Sequence, residues 1–156
     1  MKRFIAVFAL CLSGTAYAGT DVPFEARINT LGVVTGFGCS GACLELNISG
    51  VGQARQGGRV TIDGPSLIEF GTNTQEGDST MTAADGSTLV FHFSGTFTSN
   101  GQNATFFGTW DAVSGTGRFA GVSGGGTYEG TATVGNPAGD PGTLHIEGRL
   151  NNPGKR

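Results

Sequence analysis

Leu89-Val90-Phe91-His92-Phe93-Ser94-Gly95-Thr96-Phe97-Thr98 is the stretch that decides how this chain folds. Leu89, Phe91, Phe93 and Phe97 share one parity, and Val90, His92, Ser94, Thr96 and Thr98 take the other. A period of two marks a strand with one apolar and one polar face. The same alternation recurs on both sides. Leu44, Leu46 and Ile48 alternate with Glu45, Asn47 and Ser49. Tyr128, Ala132 and Val134 alternate with Thr127, Glu129, Thr131 and Thr133, and Leu144, Ile146 and Leu150 with Thr143, His145, Glu147 and Arg149. Shorter strands are expected over 24–31, 58–62, 66–70, 79–83 and 103–113. No segment sustains the 3.6-residue apolar stripe of a helix.

Turn signals separate these runs: Asp63-Gly64-Pro65, Asp85-Gly86, Asn100-Gly101 and the glycine-rich stretch 135–142. Asp85-Gly86 and Asn100-Gly101 suit two-residue hairpins, in which both central residues take positive φ. Eight or nine short strands joined mainly by hairpins make an antiparallel barrel or sandwich. An eight-stranded barrel either fills with side chains or keeps one small cavity. An outer-membrane barrel would alternate too. Glycines break the apolar positions here, aromatic girdles are lacking, and the chain does not end in an aromatic residue, all against that reading. The Gly-Thr refrain at 95, 108, 115, 126 and 130 has no fixed period and is not a solenoid repeat.

The N-terminus has its own logic. Met1-Lys2-Arg3 is basic, 4–12 is apolar, and Ala16-Tyr17-Ala18 supplies the small-x-small exit of an export signal. The expected organisation is a signal over 1–18 cleaved between Ala18 and Gly19, one barrel domain over 19–150, and a frayed polar tail over 151–156. The apolar run is too short to span a bilayer, and Leu10 before Cys11 does not suit a lipid anchor. The protein is therefore expected to be secreted or periplasmic, and not an integral membrane protein. Loss of Lys2 and Arg3 takes the formal net charge from −3 to −5. No basic cluster exists to meet phosphates, so nucleic acid is not a partner. Cys11 leaves with the signal, and Cys39 and Cys43 remain. In an oxidising compartment, a pair separated by Ser40-Gly41-Ala42 is expected to form a disulfide. Two thiols without a nearby His are a poor metal site.

The chemistry-bearing residues are few. His92 and His145 lie on the polar faces of their strands. If the apolar face lines the interior, both meet solvent. If the polar face does, His92 can meet Glu45, Glu129 or Glu147 as an acid–base pair. Trp110 shares a face with Gly108 and Phe106, and Asp111 lies opposite with Phe107. Asp111 is then a strand-end or a buried carboxylate, with Arg118 able to neutralise it. Trp110 and Tyr128 read as core residues with a hydrogen-bonding edge, or as ligand platforms. The weak catalytic candidates are thus His92, Asp111, Arg118 and Glu129, and the ligand-binding ones Trp110 and Tyr128. No serine is framed as a nucleophile, and no zinc or calcium ligand run appears. Asn47-Ile-Ser49 and Asn103-Ala-Thr105 match glycosylation sequons, which matter only in a eukaryotic secretory route.

One further pattern stands out. Thr82-Ala-Ala-Asp-Gly-Ser-Thr-Leu89, then Gly108-Thr-Trp110, then Val113-Ser-Gly-Thr-Gly-Arg-Phe-Ala-Gly-Val-Ser-Gly-Gly-Gly-Thr-Tyr128 resembles secreted bacterial proteins of the allene oxide cyclase-like and dirigent-like barrel superfamily. Gly52-Gln-Ala-Arg-Gln-Gly-Gly58 sits where such proteins carry a glycine-rich strand. The resemblance implies an all-β, antiparallel eight-stranded, calycin-like barrel with a central cavity. It also implies relatives that cyclise or steer reactive small molecules without a cofactor, some as dimers or trimers. It carries over no catalytic residue. Physically, Gly115 and Gly117 permit a tight corner, letting Phe119 plug the barrel end. A dinucleotide fingerprint needs a strand–turn–helix unit, which Gly124-Gly-Gly-Thr127 would break.

Three functions follow: a barrel that binds a small apolar ligand or is non-catalytic, a cofactor-free cyclase or isomerase, and a structural or interaction protein of the envelope or matrix. The first calls for an apolar cavity with a few polar groups, the second for an acid or base paired inside it. The third calls for a filled barrel with a large outer apolar patch.

Overall fold

A computed structural model describes residues 21–151. The segment read as a signal, the Ala18–Gly19 junction and residues 152–156 of the tail lie outside the described residues. Eight strands follow in order: β1 (Asp21–Gly38), β2 (Cys43–Ala54), β3 (Gly58–Glu69), β4 (Thr74–Ala83), β5 (Thr88–Ser99), β6 (Asn103–Gly115), β7 (Ser123–Thr133) and β8 (Asp140–Asn151). Each pairs antiparallel with the next, and β8 returns to β1, closing the expected barrel.

The strands are longer than the sequence suggests, and the expected breaks differ in detail. The runs 58–62 and 66–70, apart from Phe70 in the following turn, belong to one strand, β3, which passes straight through Asp63-Gly64-Pro65. That signal misleads because β3 is extended there and pairs with β2 throughout. Its ladder to β4 lapses between Asp63↔Thr80 and Ser66↔Gly77, a place where proline's missing N–H is tolerated. Asp85-Gly86 and Asn100-Gly101 do turn the chain, but only Gly86 (φ 82°) and Gly101 (φ 80°) take positive φ. Asn100 N–H donates to Asn103 O around the two residues Gly101-Gln102, whereas the Asp85-Gly86 loop holds one residue more. Ala83 N–H donates to Ser87 O and Gly86 N–H to Ala83 O. A turn followed by a left-handed glycine is the next commonest hairpin connection.

Parity sorts the faces as read. Leu89, Phe91, Phe93 and Phe97 of β5 are buried, as are Trp110, Tyr128, Ile146 and Leu150. His92, Asp111, Glu129 and Arg149 are exposed on the outer wall. An apolar interior and a polar exterior are the inverse of a barrel that faces lipid. Among the described residues, no helix is long and apolar enough to cross a membrane.

Many inward glycines serve closure rather than flexibility. A Cβ at Gly64 or Gly77, at Gly95 or Gly108, or at Gly126 or Gly148 would fall 2.0–2.3 Å from a carbonyl oxygen of the neighbouring strand. These pairs sit at the β3–β4, β5–β6 and β7–β8 boundaries, where backbones approach too closely for any side chain. Glycine kinks of this kind let a small sheet bend around its axis.

Candidate functional site

The two barrel ends differ. At the end where β2 leads to β3, β4 to β5 and β6 to β7, the core is solid. Phe24, Ala26, Val60, Met81, Leu89, Trp110, Phe119, Val122 and Leu150 pack there. Phe119 comes from a single 3-10 turn, Gly117–Phe119, and is wholly buried, plugging that end as expected. Gly117 has φ 56°, and a Cβ there would meet Ser87 Oγ at 2.3 Å.

Arg118 fixes this plug. Its Nε and Nη2 donate to Asp85 Oδ2 at 3.0 and 2.7 Å, and its Nη1 donates to Gln56 O at 2.9 Å. Its backbone N–H donates to Ser87 Oγ at 3.1 Å. The expected Asp111–Arg118 pair is therefore corrected to Asp85–Arg118. Chain direction explains the difference. Asp111 faces outward in the middle of β6, opposite His92, whereas the chain turns over the barrel end before reaching Arg118. The guanidinium's hydrogen bonds, aided by the Ser87 backbone N–H, hold the Asp85 carboxyl down at about 2. The Ala-Ala-Asp-Gly turn and the Gly-Thr-Gly-Arg-Phe element are thus two halves of one lock.

Towards the other end the interior is hollow. A cavity of about 350 Å³ lies among Leu46, Ile48, Ile68, Phe93, Phe97 and Phe106, with Trp110 and Ile146 nearer its floor. Volumes of this order hold one small molecule. The Cys39–Cys43 disulfide, present as expected, closes the β1–β2 turn at the open end. Phe37 and Phe70 are exposed on the same side.

Aromatic rings shape the hollow. Trp110 donates its indole N–H to Glu147 O at 2.9 Å, two strands away. Tyr128 lies against the bare backbones of Gly108 and Gly95, so that a Cβ on Gly95 would sit 2.6 Å from its hydroxyl. Phe93 packs edge-on against Tyr128 at 5.8 Å. The polar groups of the lining include Ser66, Gln75, Ser79 and Tyr128, all buried. Two of them stand out: Ser66 Oγ and Tyr128 Oη have no hydrogen-bond partner among the described residues. Burial pushes the Tyr128 phenol up to about 12, so it is a neutral donor at ordinary pH. Asp140 is the other titratable lining residue among those described. It accepts from the Asn136 backbone N–H at 3.0 Å, next to the mouth.

The remaining candidates are on the outer wall. His92 does not meet Glu45, Glu129 or Glu147. Its Nδ1 is 3.0 Å from Asp78 Oδ1, and both side chains are well exposed. The polar face is the outer one, which removes an acid–base pair built on His92 inside the barrel. It is His145 that gathers carboxylates, at 3.3 Å from Glu25, 3.2 Å from Glu147 and 3.5 Å from Glu129. Arg27 donates to Glu25 at 3.0 Å, and that bond, with His145, holds the Glu25 carboxyl below its usual range. Glu25, His145 and Glu147 each offer an atom to one small space. Arg27 already neutralises one of the three, and exposed acidic groups adopt such arrangements without an ion.

Of the sequence candidates, Trp110 and Tyr128 therefore belong to the cavity, Arg118 to the closed end, and His92, Asp111 and Glu129 to the exterior. Ser66, Gln75 and Ser79 are not marked out as site residues in the sequence. Parity alone places them inward, but small polar residues give a weak signal beside phenylalanines.

A search of solved structures returns this architecture. The chain is similar to a pterocarpan synthase dirigent protein, with a TM-score of 0.51 over 87% of this chain and 88% of that one, at 15% identity. The fold is a dirigent-like β-barrel. No family model matches the sequence, and no curated protein does. At this identity the likeness speaks for the dirigent-like fold and not for an activity.

Proposed function

We propose that this dirigent-like barrel holds one small, mainly apolar molecule in its interior. The observation that carries the reading is the one-ended cavity of about 350 Å³, walled by phenylalanine and aliphatic side chains. An envelope protein that uses its barrel only as a rigid body has no need of such a hollow, because an interior of this size can be filled with side chains. We further place the protein outside the cytoplasm. The export-type pattern of residues 1–18 and the Cys39–Cys43 disulfide support that location.

Native mass spectrometry of protein purified from its host's exported fraction, before and after denaturation, tests the binding role. A stoichiometric small molecule released on denaturation supports it. Protein that leaves the host empty, and takes up no apolar compound from a panel, overturns it. A second reading, cofactor-free cyclisation or isomerisation, draws on the similarity to a synthase of dirigent type. It is tested by whether the released compound turns over when returned to the protein, and whether Tyr128→Phe slows that turnover.

A further inference from the structure

We infer that the guest is an uncharged, apolar molecule carrying a hydrogen-bond-accepting oxygen, seated where that oxygen receives the hydroxyl proton of Tyr128. The inference rests on the binding reading above and specifies its chemistry.

Two observations carry it, and they are independent of the fold's likeness to other proteins. The first is the pair of orphaned hydroxyls. Ser66 Oγ and Tyr128 Oη are buried in residues that line the cavity, and neither has a partner among the described residues. Buried polar groups are almost always hydrogen-bonded, so an unpartnered pair beside a hollow calls for a partner from outside. Tyrosine offers one proton, and a neutral phenol can give it to a carbonyl, ether or hydroxyl oxygen. The Ser66 hydroxyl can donate or accept and suits the same kind of group.

The second observation is the charge of the lining. Among the described residues it contains no Lys, Arg or His, and the one carboxylate, Asp140, is engaged with a backbone N–H by the mouth. A carboxylate or phosphate carried inward would meet no counter-charge and would lose its hydration. A cation would find its only carboxylate at the rim, away from the two hydroxyls. What remains is a neutral molecule, apolar over most of its surface, with one oxygen to place.

The protein supplies its own reporters. Trp110 is the sole tryptophan and lines the cavity, so its emission reads occupancy. Once residues 1–18 are gone, Tyr128 is the sole tyrosine, so phenolate absorbance reads that hydroxyl alone. Decanone, decane and decanoate form a matched set of probes, titrated into the mature protein and its Tyr128→Phe variant. Decanone is expected to bind the wild type roughly 5- to 10-fold tighter than decane, as one net hydrogen bond provides, and decanoate to bind worst. Tyr128→Phe should remove the difference, bringing the ratio of the two neutral probes' affinities to about one. Decanone alone should also move the phenolate titration to higher pH. Equal binding of decane and decanone to the wild type, preferred binding of decanoate, or an equal loss of both neutral probes in the variant overturns the inference and leaves the binding reading standing. Failure of all three probes to alter Trp110 emission, with empty protein from the host, overturns the binding reading itself.

Discussion

Asp85 shows how one ion pair sets an acid limit. Its ordinary value of 3.8 falls to about 2 in the folded protein because Arg118 and the Ser87 N–H favour the carboxylate. A depressed folded value adds stability above the unfolded one and loses it as pH falls through the folded one. The contribution should therefore be complete above about pH 4 and gone by about pH 2. Urea midpoints measured across that interval should fall less steeply for Asp85→Asn than for the wild type, with the variant the less stable at neutral pH. Tyr128 works at the other extreme. Its phenol is raised to about 12 by burial, so its protonated form is favoured on folding. Because burial penalises the phenolate, ionisation leaves stability untouched below pH 10 and lowers it as pH rises through 12. Tyr128→Phe should abolish this alkaline loss. At neutral pH, in ligand-free protein, it should also raise stability by about 1 kcal/mol, since it removes a buried hydroxyl with no partner among the described residues. A higher urea midpoint with an unchanged denaturant slope is the check. Neither role is legible from residue type. Arg118 and Asp85 are 33 positions apart, and sequence proximity favours Asp111 as the partner. Only the reversal of the chain over the barrel end brings Arg118 to the loop that holds Asp85.

At the scale of strands, alternation carries nearly all the information. The run from Leu89 to Thr98 orients β5 correctly, and parity does the same for β2, β7 and β8. What alternation cannot supply is the difference between a glycine that ends a strand and one that bends it. Gly64 sits in a turn-like triplet and is nonetheless inside β3, because the constraint on it comes from β4, across the sheet. The paired glycines give a direct test. A methyl at Gly95 would lie 2.2 Å from Phe107 O and 2.6 Å from Tyr128 Oη. One neighbour is backbone and cannot yield without separating β5 from β6. Gly95→Ala should cost at least about 3 kcal/mol, in the range of severe overpacking. Gly71→Ala, with nothing within 4 Å of the added methyl, should lie within about 0.5 kcal/mol of wild type. Chemical denaturation of the two variants side by side separates crowding from the general effect of losing a glycine.

For the molecule as a whole, the barrel and the residues that face inward follow from the sequence. The cavity does not, because its existence depends on closure between β1 and β8 and on how far the Phe119 plug reaches. The site was legible only in part for the same reason. Trp110 and Tyr128 announce themselves by size, whereas an unpartnered Ser66 is visible only once its surroundings are known. If the hollow binds a guest, a ligand at a hundredfold its Kd should stabilise the fold by about 2.7 kcal/mol, raising Tm by roughly 10 °C. Calorimetry with and without the compound released from host-purified protein measures this. The solid floor has a consequence for traffic. A barrel stopped at one end is a pouch and not a conduit, so arrival and departure share one doorway. Whatever enters first must back out the way it came, and its leading end alone can touch the floor. Handing cargo to another molecule therefore requires that molecule to stand before the rim ringed by the Cys39–Cys43 turn, Phe37 and Phe70.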